Sequence, residues 1–180
     1  MTLTVASTEL DAPAAPKLHG FDHIEWWVGN ARHTAAFFVN GFGFEVVAYA
    51  GPETGSSDTV SYVLAQGDIR FVVSSGLDGV SDVARHVLRH GDGVRSVALR
   101  VDDCRAAYDA LVARGGTGMR APQVFEGDDG RFVVGEIATY GDTVHALVER
   151  GAYRGLFAPR FEATAAFADD GPAVGLTGID

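Results

Sequence analysis

Apolar and polar residues alternate along FDHIEWWV, residues 21–28, and this period of two is typical of a β-strand. The following segment, ARHTAAFFVN, spaces its alanines and phenylalanines by three or four positions and precedes Gly43, as an amphipathic helix does. Three further runs, at 44–51, 59–66 and 69–75, are rich in β-branched and aromatic residues. The pattern predicts a first unit of order β-α-β-β-β.

A second unit of the same order follows a connecting helix. The connector is predicted at 80–90, where one helical face carries Val80, Val83, Ala84, Val87 and Leu88. A strand at 94–101 and a helix beginning after Asp102 or Asp103 come next, followed by strands at 117–125, 131–139 and 143–150. The first strands of the two units begin about seventy residues apart, so the chain carries a tandem pseudo-repeat.

Neither unit alone is long enough to bury both faces of a sheet, so the two are expected to share one. We predict an α+β fold in which tandem βαβββ modules form a cupped mixed sheet with the helices outside; a ferredoxin-like sandwich is the alternative. The predicted domain spans 17–157, with modules at 20–75 and 93–150. We predict that residues 1–16 form a disordered tail and that residues 158–180 form a linker toward a further, carboxy-terminal domain.

The concave face of such a sheet is where a ligand would bind. Strand alternation places His23, Glu25 and Trp27 on this face, and the pseudo-repeat matches these positions with Ser96, Ala98 and Arg100. The candidate ligand-binding residues are therefore His23, Glu25, Trp27, Ser96 and Arg100. His23 and Glu25 are also the candidate metal ligands, but the last strands add no His, Asp or Glu on that face, so no bound metal is expected. A hydrogen-bonded, partly buried histidine is the preferred interpretation of His23.

The remaining histidines and the single cysteine do not suggest a catalytic set. His33, His86 and His90 lie on or beside predicted helices without a carboxylate at ligand spacing, so solvated surfaces explain them. Cys104 lies on a predicted helical face and is expected to be buried rather than nucleophilic. A single cysteine excludes an intramolecular disulfide, which fits a cytoplasmic location.

The charge balance narrows the range of partners. The net charge is −10, from 24 acidic and 14 basic residues, and this argues against nucleic-acid or anionic-membrane binding. No stretch resembles a secretory signal or holds about 18 uninterrupted apolar residues. We therefore expect neither a nucleic-acid partner nor membrane association.

Three segments together resemble a known family. They are VGNARHTAAFFVNGFGFEVVAYAGPETGSSDTVSYVLAQGDIRFVVSS (28–75), HVLRHGDGVRSVALRVDDCRAAYDALVARG (86–115) and EIATYGDTVHALVER (136–150). In this order they resemble the amino-terminal half of bacterial 4-hydroxyphenylpyruvate dioxygenases; the related 4-hydroxymandelate synthases match less well around AYAGPETGS. The resemblance implies membership of the vicinal-oxygen-chelate (glyoxalase-type) superfamily, whose βαβββ modules agree with the predicted repeat.

The resemblance also implies where iron would bind. Fe(II) in this family is held by two histidines and a glutamate, all in a carboxy-terminal domain, and the first ligand follows a Gly- or Ala-Ile-Asp sequence. That sequence matches Gly178 to Asp180, so all three ligands would lie beyond residue 180. The resemblance therefore implies that the 180-residue chain alone is inactive. Its expected partners are its own carboxy-terminal catalytic domain and further copies of itself in a homo-oligomer.

Two other interpretations remain open at this stage. One is a stand-alone module that binds a small molecule on the His23, Glu25 and Trp27 face, and the other is a metal enzyme completed across a dimer. The tail APRFEATAAFADDGPAVGLTGID separates the stand-alone module from a domain that ends in a linker, whereas stoichiometric metal at His23 would favour the metal enzyme. A linker is expected to be disordered from about Pro159, whereas a self-contained protein would pack this tail against itself.

Overall fold

The computed structural model describes residues 14–165, 167 and 173–179. The strands are β1 (Leu18–Trp27), β2 (Glu45–Ala50), β3 (Thr59–Gln66), β4 (Ile69–Gly76), β5 (Gly93–Val101), β6 (Gly118–Gly127), β7 (Gly130–Ala138) and β8 (Val144–Glu149). The helices are α1 (Ala31–Phe42), α2 (Asp82–His90) and α3 (Cys104–Ala113). Residues 14–16 have no regular secondary structure, and the rest of the predicted 1–16 tail lies outside the described residues.

All eight strands form one open sheet of order β2-β3-β4-β1-β5-β8-β7-β6. In each unit the first and last strands pair in parallel, β1 with β4 and β5 with β8, while the three consecutive strands pair antiparallel. The units meet through the antiparallel β1 and β5 strands. The predicted fold of tandem βαβββ modules is confirmed, and the ferredoxin-like alternative is wrong.

Local sequence signals set the ends of the helices. The side chains of Asn30, Ser81 and Asp103 each accept a hydrogen bond from a backbone N–H of the first turn, which satisfies a donor that would otherwise be unpaired. Gly43 follows α1 with φ 67° and donates its N–H to the last turn. This left-handed conformation favours glycine, which explains why α1 ends there.

The helices cover one face of the sheet. In the first unit, Ala31 and Ala35 of α1 pack with Leu64 and Val73, and Phe44 completes this cluster. The second unit has a matching cluster, composed of Val101, Cys104, Ala107, Val133, Ile137 and Leu147. Small residues on the helices let them approach the sheet closely, so each unit has its own core on this face.

The opposite face is covered by the chain that follows β8, here called the plug segment (residues 153–161). Phe157 packs with Ala48, Val63 and Val72 of the first unit. Ala158 contacts this cluster and also the second-unit cluster of Ala98, Phe132, Ala146 and Val148. The concave face is therefore filled in part by the chain itself.

Described residues beyond the plug segment also contact the first unit. Tyr49 and Glu162 exchange two backbone hydrogen bonds of 2.8 and 2.9 Å, and Phe167 meets the ring of Tyr62 edge-on. Further on, the Leu176 N–H donates to Gln66 Oε1 at 2.7 Å. The division into a domain at 17–157 and a linker at 158–180 stays a prediction.

The connector helix is shorter than predicted, and much of its surface is exposed. It begins at Asp82 because Ser81 caps it and Asp78 accepts hydrogen bonds from the N–H groups of Val80 and Ser81. Val80 therefore lies before the helix and is 71% exposed, and Leu88 is 88% exposed. The prediction that five residues share one helical face was wrong for Val80, and of the other four Val83 is the buried one.

Candidate functional site

The non-helical face holds a cavity of about 300 Å³ between the two units, here called the cup. Polar side chains from the first strands, His23, Glu25 and Ser96, lie in its lining together with Arg120 and Glu136. Apolar parts of the lining come from the sheet and from the plug segment, including Phe157 and Phe161. The cup thus combines a polar floor with an aromatic cover.

His23 belongs to a buried charge network. Its Nδ1 lies 2.8 Å from Oδ1 of Asp22, whose side chain is 1% exposed. Arg150 donates to both oxygens of the same carboxylate at 2.7 Å, and it also donates to the backbone oxygen of Phe157. The His23 ring meets the Phe157 ring edge-on at 5.0 Å. One network therefore holds the histidine and fixes the plug segment over it.

The electrostatics of Asp22 follow from these contacts. Burial by itself would raise the pKa of this carboxyl group, but the hydrogen bonds from Arg150 and His23 outweigh it and hold the pKa well below its usual range. Asp22 is thus a permanent anion at neutral pH that compensates the guanidinium. Sequence reasoning did not single out Asp22 or Arg150, which are 128 residues apart.

Glu25 is also engaged by its neighbours. Its Oε1 accepts a hydrogen bond from the indole N–H of Trp27 at 2.9 Å and another from the Ser74 hydroxyl at 3.3 Å. Ser74 in turn bonds to Ser61 at 2.8 Å. Through Ser74, this arrangement ties the carboxylate to β4.

Ser96 differs from the other candidates because its polar group is unpaired. The residue is 3% exposed, and its hydroxyl has no hydrogen-bond partner among the described residues. A buried hydroxyl without a partner costs about 1–3 kcal/mol. The Ser96 hydroxyl is therefore the group in the cup that a bound hydrogen-bonding molecule would satisfy.

The cup does not fit a two-histidine, one-carboxylate iron site. In the described part of the chain, His23 and Glu25 belong to no group of three His, Cys, Asp or Glu residues whose ligand atoms lie within 4.8 Å of one another. One nitrogen of His23 is bonded to Asp22, and Oε1 of Glu25 accepts from Trp27 and Ser74. These hydrogen bonds engage both side chains, and the expectation that this chain binds no metal stays a prediction.

Two predicted site residues lie apart from the cup floor. Trp27 bonds to Glu25 through its N–H, but its ring meets His86 edge-on at 5.1 Å and lies under Arg95. It lines a separate cavity beside α2. Arg100 lies 3.6 Å from Asp22 in a third cavity of about 600 Å³. The five candidates therefore line three different cavities, and β-bulges interrupt the β1–β5 pairing near both ends of β1. That the five bind a ligand together stays a prediction.

A carboxylate reaches the histidines of α2, contrary to the sequence expectation. Asp142 Oδ2 lies 2.7 Å from Nε2 of His90 and 2.9 Å from Nη1 of Arg89. These hydrogen bonds lower the pKa of Asp142. The pKa of His86 is lowered by partial burial first and then by the charges of His90 and Arg95. Because Asp142 is 52 residues from His90, local spacing could not reveal this cluster.

Cys104 is buried as predicted, with 0% exposure. Its thiol donates to the backbone oxygen of Leu147 at 3.2 Å, and its N–H donates to Glu149. Burial, aided by the charge of Glu149, raises the pKa of the thiol to about 11. The thiol is therefore held as an inert core group at neutral pH.

Comparison with known proteins identifies the class from the fold and the family from the sequence. Methylmalonyl-CoA epimerase from Mycobacterium tuberculosis matches at 20% identity with a TM-score of 0.61, over 76% of this chain and 91% of that one, and shares the fold. A triple mutant of 4-hydroxymandelate synthase from Streptomyces coelicolor has a TM-score of 0.71 at 31% identity, over 88% of this chain and 45% of that one. The two-unit sheet is that of the vicinal-oxygen-chelate proteins.

Sequence relationship narrows this class to one family. The family model described as the amino-terminal part of hydroxyphenylpyruvate dioxygenase matches residues 12–156. The 4-hydroxyphenylpyruvate dioxygenases of Yarrowia lipolytica and Xenopus tropicalis are 40% and 42% identical over 83% and 79% of this chain. The chain belongs to the family of 4-hydroxyphenylpyruvate dioxygenase amino-terminal domains.

The match covers only part of each relative. The chain spans 39% of the length of the Yarrowia protein and 36% of the Xenopus protein. None of the helices in the described part of the chain combines the length and hydropathy needed to cross a bilayer.

Proposed function

We propose that this chain is the amino-terminal domain of an Fe(II)-dependent enzyme that converts 4-hydroxyphenylpyruvate and O2 to homogentisate and CO2, a step of tyrosine catabolism. The observation that carries the proposal is the identity of about 40% to 4-hydroxyphenylpyruvate dioxygenases along most of this chain. The chain matches only about two fifths of their length, which supports a domain role within a larger enzyme. Iron and substrate would be bound by the carboxy-terminal domain.

In this proposal the domain acts as a scaffold. The cup does not fit the iron ligand set, and the apolar residues beside it pack against Phe157 of the same chain. The third cavity offers a surface for the catalytic domain, since Phe21 and Leu156 in its lining are 41% and 59% exposed. Exposed apolar side chains around a polar concavity are typical of a surface that another domain covers.

A domain exchange tests the scaffold role. Residues 14–165 would replace the matching segment of the Yarrowia enzyme, and iron content and homogentisate formation would be measured. We expect a folded chimera that binds iron and forms homogentisate. A folded chimera without turnover would contradict the proposal. Homogentisate formation from 4-hydroxyphenylpyruvate by the 180-residue chain with Fe(II), in the absence of the carboxy-terminal domain, would also contradict it.

A 4-hydroxymandelate synthase is the second candidate, because the Streptomyces coelicolor structure superposes on 88% of this chain. Both enzymes would use the same substrate and differ in the atom that is oxidised. Chromatography of the product formed by the protein from the complete reading frame separates the two. We expect homogentisate; 4-hydroxymandelate would favour the synthase.

Assembly and location belong to the same proposal. We infer a homo-oligomer in the cytoplasm, on the basis of the family resemblance and the single buried cysteine. Light scattering of the full enzyme at two concentrations would test the oligomer, and a monomer at both would contradict it.

A further inference from the structure

We propose that His86, His90 and Asp142 form a binding site for a divalent transition-metal ion such as Zn²⁺, separate from any catalytic iron. The ligand atoms of these three residues lie within 4.8 Å of one another. Imidazole and carboxylate groups together suit Zn²⁺, Ni²⁺ and Cu²⁺. The inference does not depend on the proposed dioxygenase function.

The two histidines are placed by the helix itself. Residues four apart lie on the same helical face, and the rings of His86 and His90 are 4.6 Å apart between centroids. His86 is partly buried against Trp27, whose ring meets it edge-on at 5.1 Å. The helix is anchored at both ends, by the Ser81 cap and by the Gly91 N–H, which donates to Val87. The histidine pair is therefore held in place before a metal arrives.

The carboxylate comes from the tight turn between β7 and β8. The backbone and hydroxyl groups of Thr143 both donate to the Tyr140 oxygen, at 2.9 and 2.6 Å. The hydroxyls of Thr139 and Thr143 also bond at 2.8 Å. These contacts fix the turn and direct Asp142 toward α2, where Oδ2 already lies 2.7 Å from His90. A metal ion would thus join the connector helix to a turn of the second unit.

A neighbouring cation competes for the same carboxylate. Arg89 donates to Asp142 at 2.9 Å, and both side chains are largely exposed. Arg95 lies over Trp27, and Arg85 is paired with Asp82. A bound ion would have to displace Arg89 from Asp142, which makes removal of Arg89 an informative variant. Losing that positive charge is expected to tighten metal binding several-fold.

Isothermal titration of the tag-free 180-residue protein with Zn²⁺ tests the site. We expect one ion per chain, and a rise in Tm of about 5–10 °C at a hundredfold excess over the Kd. His86→Ala, His90→Ala and Asp142→Asn are each expected to weaken binding by more than about tenfold, since losing even a partner one step removed from a metal costs roughly that much. His33→Ala removes an exposed histidine of α1 and is the matched control, with affinity unchanged.

Loss of metal binding in these variants can be told apart from loss of folding. The three ligand positions are exposed or only partly buried, so the Tm of each metal-free variant is expected to stay close to that of the parent. Arg89→Gln should bind Zn²⁺ more tightly than the parent, because the carboxylate of Asp142 is then released from its ion pair. The proposal is overturned if Zn²⁺ does not bind stoichiometrically. It is also overturned if binding survives all three ligand substitutions, or if His23→Ala abolishes binding while His86→Ala does not.

Discussion

The buried ion pair of Asp22 and Arg150 is expected to contribute strongly to stability, and Asp22→Asn tests this. The Asp22 side chain is 1% exposed and that of Arg150 is 25% exposed. Removing one partner of a buried pair leaves the other charge uncompensated and costs about 3–5 kcal/mol. Because Arg150 retains some contact with water and still donates to Phe157, we expect the lower end, about 3 kcal/mol at pH 7.

The pH dependence gives a second, independent signature. The pKa of Asp22 is lowered in the folded protein, so in acid the unfolded chain takes up a proton that the folded chain does not. Stability from this group is therefore fully present above the unfolded pKa of about 3.8 and is lost as the pH falls toward the folded pKa. The loss is about 1.4 kcal/mol for each pH unit below that value. The difference in free energy of unfolding between the parent and Asp22→Asn should therefore shrink by this amount for each pH unit below about 3.8.

Urea unfolding followed by tryptophan fluorescence, from pH 7 down to about pH 2.5, measures both effects. Asp102→Asn is the matched control, because Asp102 pairs with His19 at 2.9 Å but its side chain is 73% exposed. The control should change the free energy of unfolding by less than about 0.5 kcal/mol at pH 7. The reasoning fails if Asp22→Asn costs less than about 1 kcal/mol, or if its stability falls with acid in parallel with the parent.

Three further outcomes can be checked on the same protein. Phe157→Ala removes a side chain that is 8% exposed, so it should lower the free energy of unfolding by about 3–5 kcal/mol and increase dye binding to the cup. Phe125→Ala, at a position that is 38% exposed, is the control and should change neither quantity. Cys104, with its pKa raised to about 11, should resist alkylation at pH 8 until urea unfolds the chain; rapid labelling of folded protein would contradict its burial. Leu64→Ala in the core should lower the free energy of unfolding by about 2–5 kcal/mol, and Leu88→Ala on the connector helix should lower it by less than about 0.5 kcal/mol. Equal losses would contradict the exposure of Leu88.

The element order was predictable because periodicity and caps are local signals. The strands at 59–66 and 69–76 and the helix after Asp103 were found nearly to the residue, since turn residues and capping side chains stand beside them in sequence. The connector helix shows the limit of this reasoning. A stripe of apolar residues predicts a buried face, but nothing local reveals that the sheet leaves Leu88 uncovered.

The site could be predicted only in part, because its contacts are long-range. His23, Glu25 and Ser96, which strand alternation assigned to one face, line the cup, and their role in ligand binding stays a prediction. The partners that decide their chemistry come from elsewhere in the chain: Arg150 reaches Asp22 across 128 residues, and Asp142 reaches His90 across 52. A single sequence does not report such pairings.

The plug segment explains how the sheet can act as a scaffold without a ligand. The inner face of the sheet carries small or β-branched residues at its centre, and these would leave apolar surface in water if nothing covered them. Ala48, Ala98 and Ala146 are at most 5% exposed because Phe157 and Ala158 lie across the two units. Arg150 holds this cover by bonding to the backbone of Phe157 while its charge is balanced by Asp22. The fold can therefore complete its second core with its own chain.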